Sequence, residues 1–291
     1  RGDRTSHRAR APPPPLRHME GEGRDRPRRI LVFGWGAAAQ RVLAELAACS
    51  AGVRAEVLCL SHTSQAGDCD LREVCASLGF AVSLTDSDDE VLEAARAFGP
   101  DLIVSASYRK RIRGPVLDLA RECINFHPSL LPRHRGCWSG FWTIFEGDEE
   151  TGVTCHRMVE EFDKGRILHQ ERCAVSPDDT SASIYTKILP VTAACARSIF
   201  EMYFRAALPE GEEQQGPASY HFRRLPYEGL IQPEWSDVQV DRYIRAMHFP
   251  PFDGAAVLMP SGERVLVESL GHYQSLRRTA SDARCESSPG S

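Results

Sequence analysis

Residues 123–170 read CINFHPSLLPRHRGCWSGFWTIFEGDEETGVTCHRMVEEFDKGRILHQ. The stretch opens on a short apolar run that ends in Asn125-Phe126-His127. It closes with Asp163, just after a second apolar run. Alternation along a strand puts Asn125 and His127 on one face and turns Phe126 to the other. Pro128 has no N–H for a sheet ladder, so the strand stops there. Open α/β sheets place their reactive groups at strand ends. One amide, one imidazole and one carboxylate are enough for acyl transfer. The amide N–H stabilises a developing oxyanion, the imidazole takes and gives a proton, and the carboxylate biases the protonation of the imidazole.

Upstream, the pattern alternates strand and helix. Arg29 to Gly34 is a continuous apolar run ending in Gly, as expected of a strand buried on both faces. A helical pattern follows over 37–48, with Val42, Leu43 and Leu46 on one face. Gly34-x-Gly36 half-fits a dinucleotide fingerprint. The third glycine position is Ala39, and the next strand, 55–60, ends in Ser61-His62 with no acid for a ribose, so the glycines read as a tight strand-to-helix turn. Further pieces follow in order: a helix over 69–78, a short strand over 81–84, a helix over 89–98 capped by Asp86 or Ser87, a buried strand over 101–106, and a short helix over 116–120. Such a rhythm predicts a Rossmann-like, mainly parallel sheet with right-handed crossovers.

Downstream, Thr151 to Val159 alternates and predicts a strand beside the key one. His156 on that strand reads as a structural histidine. Trp138, Trp142 and Phe145 share one face of a helix, packed in the core or lining a pocket. Arg133 and Arg135 bring charge beside the site. Asp178 to Ser181 caps a long helix over 183–204 that Pro190 kinks or divides.

Several separated elements together resemble the folate-dependent formyltransferases. They are Asn125-x-His127, Pro128-Ser129-Leu130-Leu131-Pro132, Arg135-Gly136, Thr151-Gly152-Val153-Thr154, and Asp163 before Gly165. The resemblance covers roughly residues 28 to 205. It implies that Asn125, His127 and Asp163 form the catalytic triad and that N10-formyltetrahydrofolate is the donor. It also implies that Tyr108, Ser129, Leu130, Leu131, Pro132 and Arg135 line the donor site.

The expected organisation is a disordered leader over 1–27, a catalytic domain over 28–207, a linker over 208–219, a small C-terminal α+β domain with a hairpin over 220–273, and a disordered tail over 274–291. The leader is rich in Arg and Pro and shows no apolar periodicity. From residue 209 onward there are eight arginines, no lysine and twelve acidic residues. A tRNA clamp relies on cationic contacts to phosphate, so this segment argues against a nucleic-acid acceptor. Tyr220, Arg223, Pro226 and Gly229, with the run from Ile244 to Ala255, resemble the amino-sugar N-formyltransferases within the family. The expected acceptor is then the amine of a small, nucleotide-linked sugar. A methionyl-tRNA formyltransferase and a formyltetrahydrofolate hydrolase are the alternatives.

The rest of the composition excludes more than it assigns. Net charge is −5 and charged residues make up 26%, so nothing global favours nucleic acid or anionic lipid. No apolar run approaches the ~20 residues of a membrane span. The 10 cysteines are scattered, with no Cys-x-x-Cys and no zinc spacing, which suits free thiols in a reducing cytoplasm and no metal. A homodimer is left open by the sequence.

Overall fold

A computed structural model describes residues 26–67 and 69–286. Of the leader expected over 1–27, residues 1–25 lie outside the described residues, as do the last residues of the tail. In chain order the first half runs β1 (Arg28–Gly34), α1 (Gly36–Cys49), β2 (Ala55–Ser61), α2 (Leu71–Leu78), β3 (Ala81–Leu84), α3 (Asp88–Phe98), β4 (Leu102–Ala106), α4 (Gly114–Leu117) and β5 (Glu122–His127). Then come β6 (Arg135–Gly136), α5 (Ser139–Glu146), β7 (Glu150–Arg157), β8 (Ile167–Ala174) and α6 (Ser181–Phe204). The C-terminal segment adds β9 (Tyr220–His221), α7 (Asp237–Met247), β10 (Ala256–Leu258), β11 (Arg264–Leu266) and α8 (Leu270–Glu286).

Seven strands form one sheet in the order β3-β2-β1-β4-β5-β7-β8. The first five are parallel, and β7 and β8 run antiparallel at one side. The α/β class and the mainly parallel sheet are those the sequence predicts. Alternation divides the side chains of the central strands between two cores. Ile30, Val32, Leu102, Val104, Ile124 and Phe126 face α1, α5, α6 and α7. Leu31, Phe33, Ile103 and Cys123 face α3 and α4. A strand buried on both faces needs apolar residues at every position, which is why these strands read as unbroken apolar runs.

Local signals set the element ends. Ser87, not Asp86, caps α3 by accepting from the Glu90 N–H. The Asp86 carboxylate is occupied by His62 and Thr63 instead. Thr180 and Ser236 each begin a helix with a reciprocal capping box. Helix α6 runs through Pro190 as one continuous helix, so the proline does not divide it, and the proline lies on the exposed side.

The C-terminal segment departs from the expectation of a separate unit. Val240, Tyr243, Ile244 and Met247 of α7 belong to the same apolar cluster as the sheet and α6. Tyr243 is fully buried and packs edge-on against Phe141 and Phe145 of α5. Residues 208–219 are no free linker either: Glu212 bridges to Ile167 through paired backbone hydrogen bonds. Helix α8 starts at Leu270 and carries on to Glu286, into the disordered tail expected over 274–291, and buried Tyr273 with Leu276 anchors its start to the core. Among the described residues no helix is long and apolar enough to cross a membrane.

Candidate active site

β5 carries Asn125 and His127 to its end on the face away from Phe126, which packs against Phe200. Its register against β7 pairs Asn125 with His156 and His127 with Thr154. Directly opposed residues share a face, so a second imidazole stands beside Asn125. The β7–β8 connection then returns Asp163 to the same spot. Asp163 sits at φ 54°, in the left-handed region that Asp tolerates better than most residues. Gly165 is required two residues on, because a Cβ there would lie 1.7 Å from the Arg157 carbonyl oxygen.

The carboxylate of Asp163 is the hub. Its Oδ2 accepts from the Gly136 N–H at 2.7 Å and lies 3.5 Å from His127 Nδ1. Its Oδ1 lies 3.3 Å from His156 Nε2 and accepts from Asn125 Nδ2 at 3.5 Å. Gly136 has φ 86°, and a Cβ there would lie 2.2 Å from the His221 carbonyl oxygen. Only glycine brings this N–H to the carboxylate across the β6–β9 pairing.

Backbone acceptors fix both imidazole tautomers. His127 Nε2 lies 2.8 Å from the His134 carbonyl oxygen. A carbonyl only accepts, so Nε2 bears hydrogen and neutral His127 turns its lone pair, on Nδ1, toward Asp163. His156 Nδ1 donates to the Arg157 carbonyl at 2.8 Å, which leaves Nε2 to accept from Asn125 Nδ2 at 3.1 Å. One N–H of the Asn125 amide is thereby occupied. The other is left with only the long contact to Asp163.

Burial pushes His127 below the ordinary imidazole value, opposed by the charge of Asp163. Burial alone would raise the Asp163 carboxyl. The positive charge His127 carries when protonated, the neighbouring His156 ring and the hydrogen bond from the Gly136 N–H outweigh it and hold the group well below the usual carboxylate range. At neutral pH the site therefore combines an ionised carboxylate with a neutral base. A proton arriving at His127 Nδ1 would form an imidazolium against that carboxylate.

The structure brings Asn125, His127 and Asp163 together. The expected donor-lining residues divide. Ser129, Leu130 and Leu131 are buried and support the loop: Ser129 Oγ donates to the Arg133 carbonyl, and Thr154 Oγ1 bridges Leu131 N–H and the Ser129 carbonyl. Their side chains do not reach solvent, so only Pro132, Tyr108 and Arg135 of that set retain exposed surface. Tyr108 stacks on His62 at 4.5 Å, and burial with nearby Asp88 and Asp86 pushes its phenol up to about 12, so it stays an O–H donor. Arg135 bonds Gln214 Oε1 through Nε at 3.0 Å and Nη2 at 2.6 Å. Gln214 in turn donates to the carbonyls of Asp163 at 2.6 Å and Gly165 at 2.8 Å. Sequence reasoning missed Gln214, which lies in a stretch with linker composition, and set His156 aside as structural; its place beside Asn125 is revealed only by the register of β5 on β7.

Arginines and exposed aromatics frame this cluster. The Arg111 guanidinium lies over the Phe162 ring and that of Arg109 over Trp35. Arg223 Nη1 donates to the Arg109 carbonyl, and Trp138 Nε1 donates to the Arg223 carbonyl. Tyr220 and Phe222 pack edge to face, with Phe222 76% exposed. A concavity of about 660 Å³, lined by Arg41, Leu189, Pro190 and Arg197 among others, shares no residue with the cluster.

An open, mainly parallel sheet with an amide, an imidazole and a carboxylate at its strand ends defines an α/β enzyme of acyl-group chemistry. The chain belongs to the formyl transferase family, whose model matches residues 28–195. It is 38% identical over 257 residues to the GDP-perosamine N-formyltransferase of Brucella melitensis, covering 86% of this chain and 96% of that protein. Its fold is similar to that of a 4-N formyltransferase from Francisella tularensis, with TM-score 0.67 and 17% identity over 82% of this chain and 96% of the other. It is also similar to an N-formyltransferase from Helicobacter canadensis in complex with folinic acid and dTDP-3-aminofucose, with TM-score 0.65 and 16% identity over 78% and 83% of the two chains.

Proposed function

We propose that the protein transfers the formyl group of N10-formyltetrahydrofolate to the primary amine of a nucleotide-linked amino sugar. The observation that carries the reaction is the convergence of Asn125 and His127 of β5 with Asp163 of the β7–β8 connection, whose carboxylate lies 3.5 Å from each. As the neutral amine attacks the formyl carbon, the free N–H of Asn125 donates to the oxygen that gains charge. His127 accepts the amine proton at Nδ1, the nitrogen with the free lone pair, and passes it to the departing folate nitrogen. Asp163 stabilises the imidazolium that exists between those transfers. Gln214 and Gly136 hold Asp163, and His156 orients the Asn125 amide.

The sugar-nucleotide acceptor rests on two supports. One is the 38% identity to a GDP-perosamine N-formyltransferase, which extends through nearly all of that protein. The other is the rim, where Arg109, Arg111 and Arg223 suit a diphosphate and Tyr220, Phe222 and Trp138 offer ring faces for a base. We assign the cytoplasm as the compartment, in keeping with nine described cysteines that lie outside any disulfide.

The test is release of tetrahydrofolate from N10-formyltetrahydrofolate by purified protein, with GDP-perosamine, dTDP-linked amino sugars and charged methionyl-tRNA offered in turn. Release that depends on one sugar nucleotide is expected. Release with the tRNA alone overturns the acceptor, and release with no amine present makes the protein a hydrolase.

A further inference from the structure

On the far side of the loop that holds His127, the fold assembles a second polar cluster. His134 is 1% exposed, and its Nε2 lies 2.9 Å from Asp148 Oδ2. A carboxylate only accepts, so Nε2 carries the hydrogen and Nδ1 is left as a lone pair. That lone pair points at His221 Nε2, 3.1 Å away. A carboxylate oxygen of Glu146, at the end of α5, lies within 4.8 Å of both imidazole nitrogens. Trp142 stacks on the His221 ring at 4.1 Å and 9°, and the His134 N–H donates to Ser219 Oγ at 2.8 Å. Two rings are thus held with their nitrogens converging, while the third ligand is exposed and free to swing.

The geometry points to a divalent transition-metal site of His134 Nδ1, His221 Nε2 and a Glu146 carboxylate oxygen, best suited to zinc. Zinc takes imidazole nitrogen at about 2.0–2.1 Å in tetrahedral array, which places neighbouring ligand atoms roughly 3.3 Å apart. The two nitrogens already stand near that spacing. Closing the set needs a shift of at most about 1.5 Å by an exposed glutamate, from within 4.8 Å to that spacing, and the fourth position is left for water. Imidazole and carboxylate ligands suit zinc over the hard cations magnesium and calcium. Asp148 supplies the outer carboxylate that metal-bound histidines recurrently use to fix their tautomer. The ion would clip the loop at 133–136 to the segment around β9, 87 residues later in the chain. That separation is why the cysteine and histidine spacings of the sequence give no hint of it. The site rests on none of the residues assigned to proton transfer.

The experiment is a titration of the full chain with Zn²⁺ against a chromophoric chelator, for wild type, His221→Gln, Glu146→Gln and Asp148→Asn. Wild type should bind one equivalent that His221→Gln lacks. Glu146→Gln should keep that equivalent at lower affinity, and Asp148→Asn should weaken it by about 10- to 100-fold. Zn²⁺ should also raise the melting temperature of wild type more than that of His221→Gln, as a ligand bound only to the native state must. That comparison shows that the variant is folded. Substitution by Co²⁺ should give a nitrogen–oxygen spectrum with no thiolate charge-transfer band. Equal binding by wild type and His221→Gln, or a thiolate band on the equivalent bound, overturns the site. The two imidazoles would then only share a proton.

Discussion

At the scale of single residues, the reactive groups differ in what each should cost when removed. Asn125→Ala takes away the side-chain N–H assigned above to the developing oxyanion. Loss of one such donor costs roughly 10²–10³ in rate, so kcat should fall by about that factor with little change in the binding of a non-reactive folate. Turnover within tenfold of wild type would remove Asn125 from that role. His127 gives a pH signature. It works as a base only when neutral, so kcat/KM should fall as pH drops through its native pKa, which burial sets below the ordinary imidazole value of about 6.5. The charge of Asp163 raises that pKa. Asp163→Asn should therefore move the acid limb to still lower pH while lowering the plateau, and a limb that moves upward would contradict the arrangement. Stability follows the same sign. Between about pH 6.5 and the native value the unfolded chain binds a proton that folded His127 does not, so stability declines as pH falls through that window. Alternation made the shared face of Asn125 and His127 legible in the sequence, and Pro128 marked their position at a strand end. His156 was not legible, because a cross-strand neighbour depends on register, which is set by the whole sheet.

Among the elements, the parallel strands were the most legible, since burial on both faces demands apolar residues at every position. The helix caps were nearly so: Asp86 and Ser87 were equal candidates until His62 and Thr63 occupied the aspartate. Pro190 did not divide α6: the helix continues through a proline on its solvent side. The connection between β7 and β8 is the element on which the site depends most. Its path brings Gly165 against the Arg157 backbone, where a Cβ would meet the carbonyl oxygen at 1.7 Å. Neither backbone can yield without moving Asp163, two residues away. Gly165→Ala should destabilise the protein by roughly 1–3 kcal/mol, the usual range for forced overpacking. It should also lower activity well beyond what the folded fraction explains. Thermal melts with rate measurements on the folded protein separate the two effects, and an active Gly165→Ala of wild-type stability would refute the close approach.

For the whole molecule, the question is whether the C-terminal segment is a module or part of one body. Its sequence reads as a module: a polar stretch precedes it, and its hairpin could fold locally. The packing argues otherwise. Tyr243 is fully buried among Phe141 and Phe145 from α5 and Trp235 from its own segment, and its hydroxyl donates to the Pro226 carbonyl at 3.0 Å. Gln214 and the β6–β9 pairing also tie the segment to Asp163 and to Gly136, which donates to that carboxylate. An element that shares a core with the sheet cannot unfold without exposing that core. Calorimetry should therefore give a single cooperative transition for the full chain. Tyr243→Ala should cost about 3–5 kcal/mol, the range for losing a large buried aromatic, and should lower the one transition as a whole. A module would behave differently: Tyr243→Ala would split off a low-temperature transition and leave the melting of the sheet where it was. Because the same segment positions Asp163 through Gln214, one transition also predicts that activity is lost along it, with no inactive but partly folded plateau below the melting point.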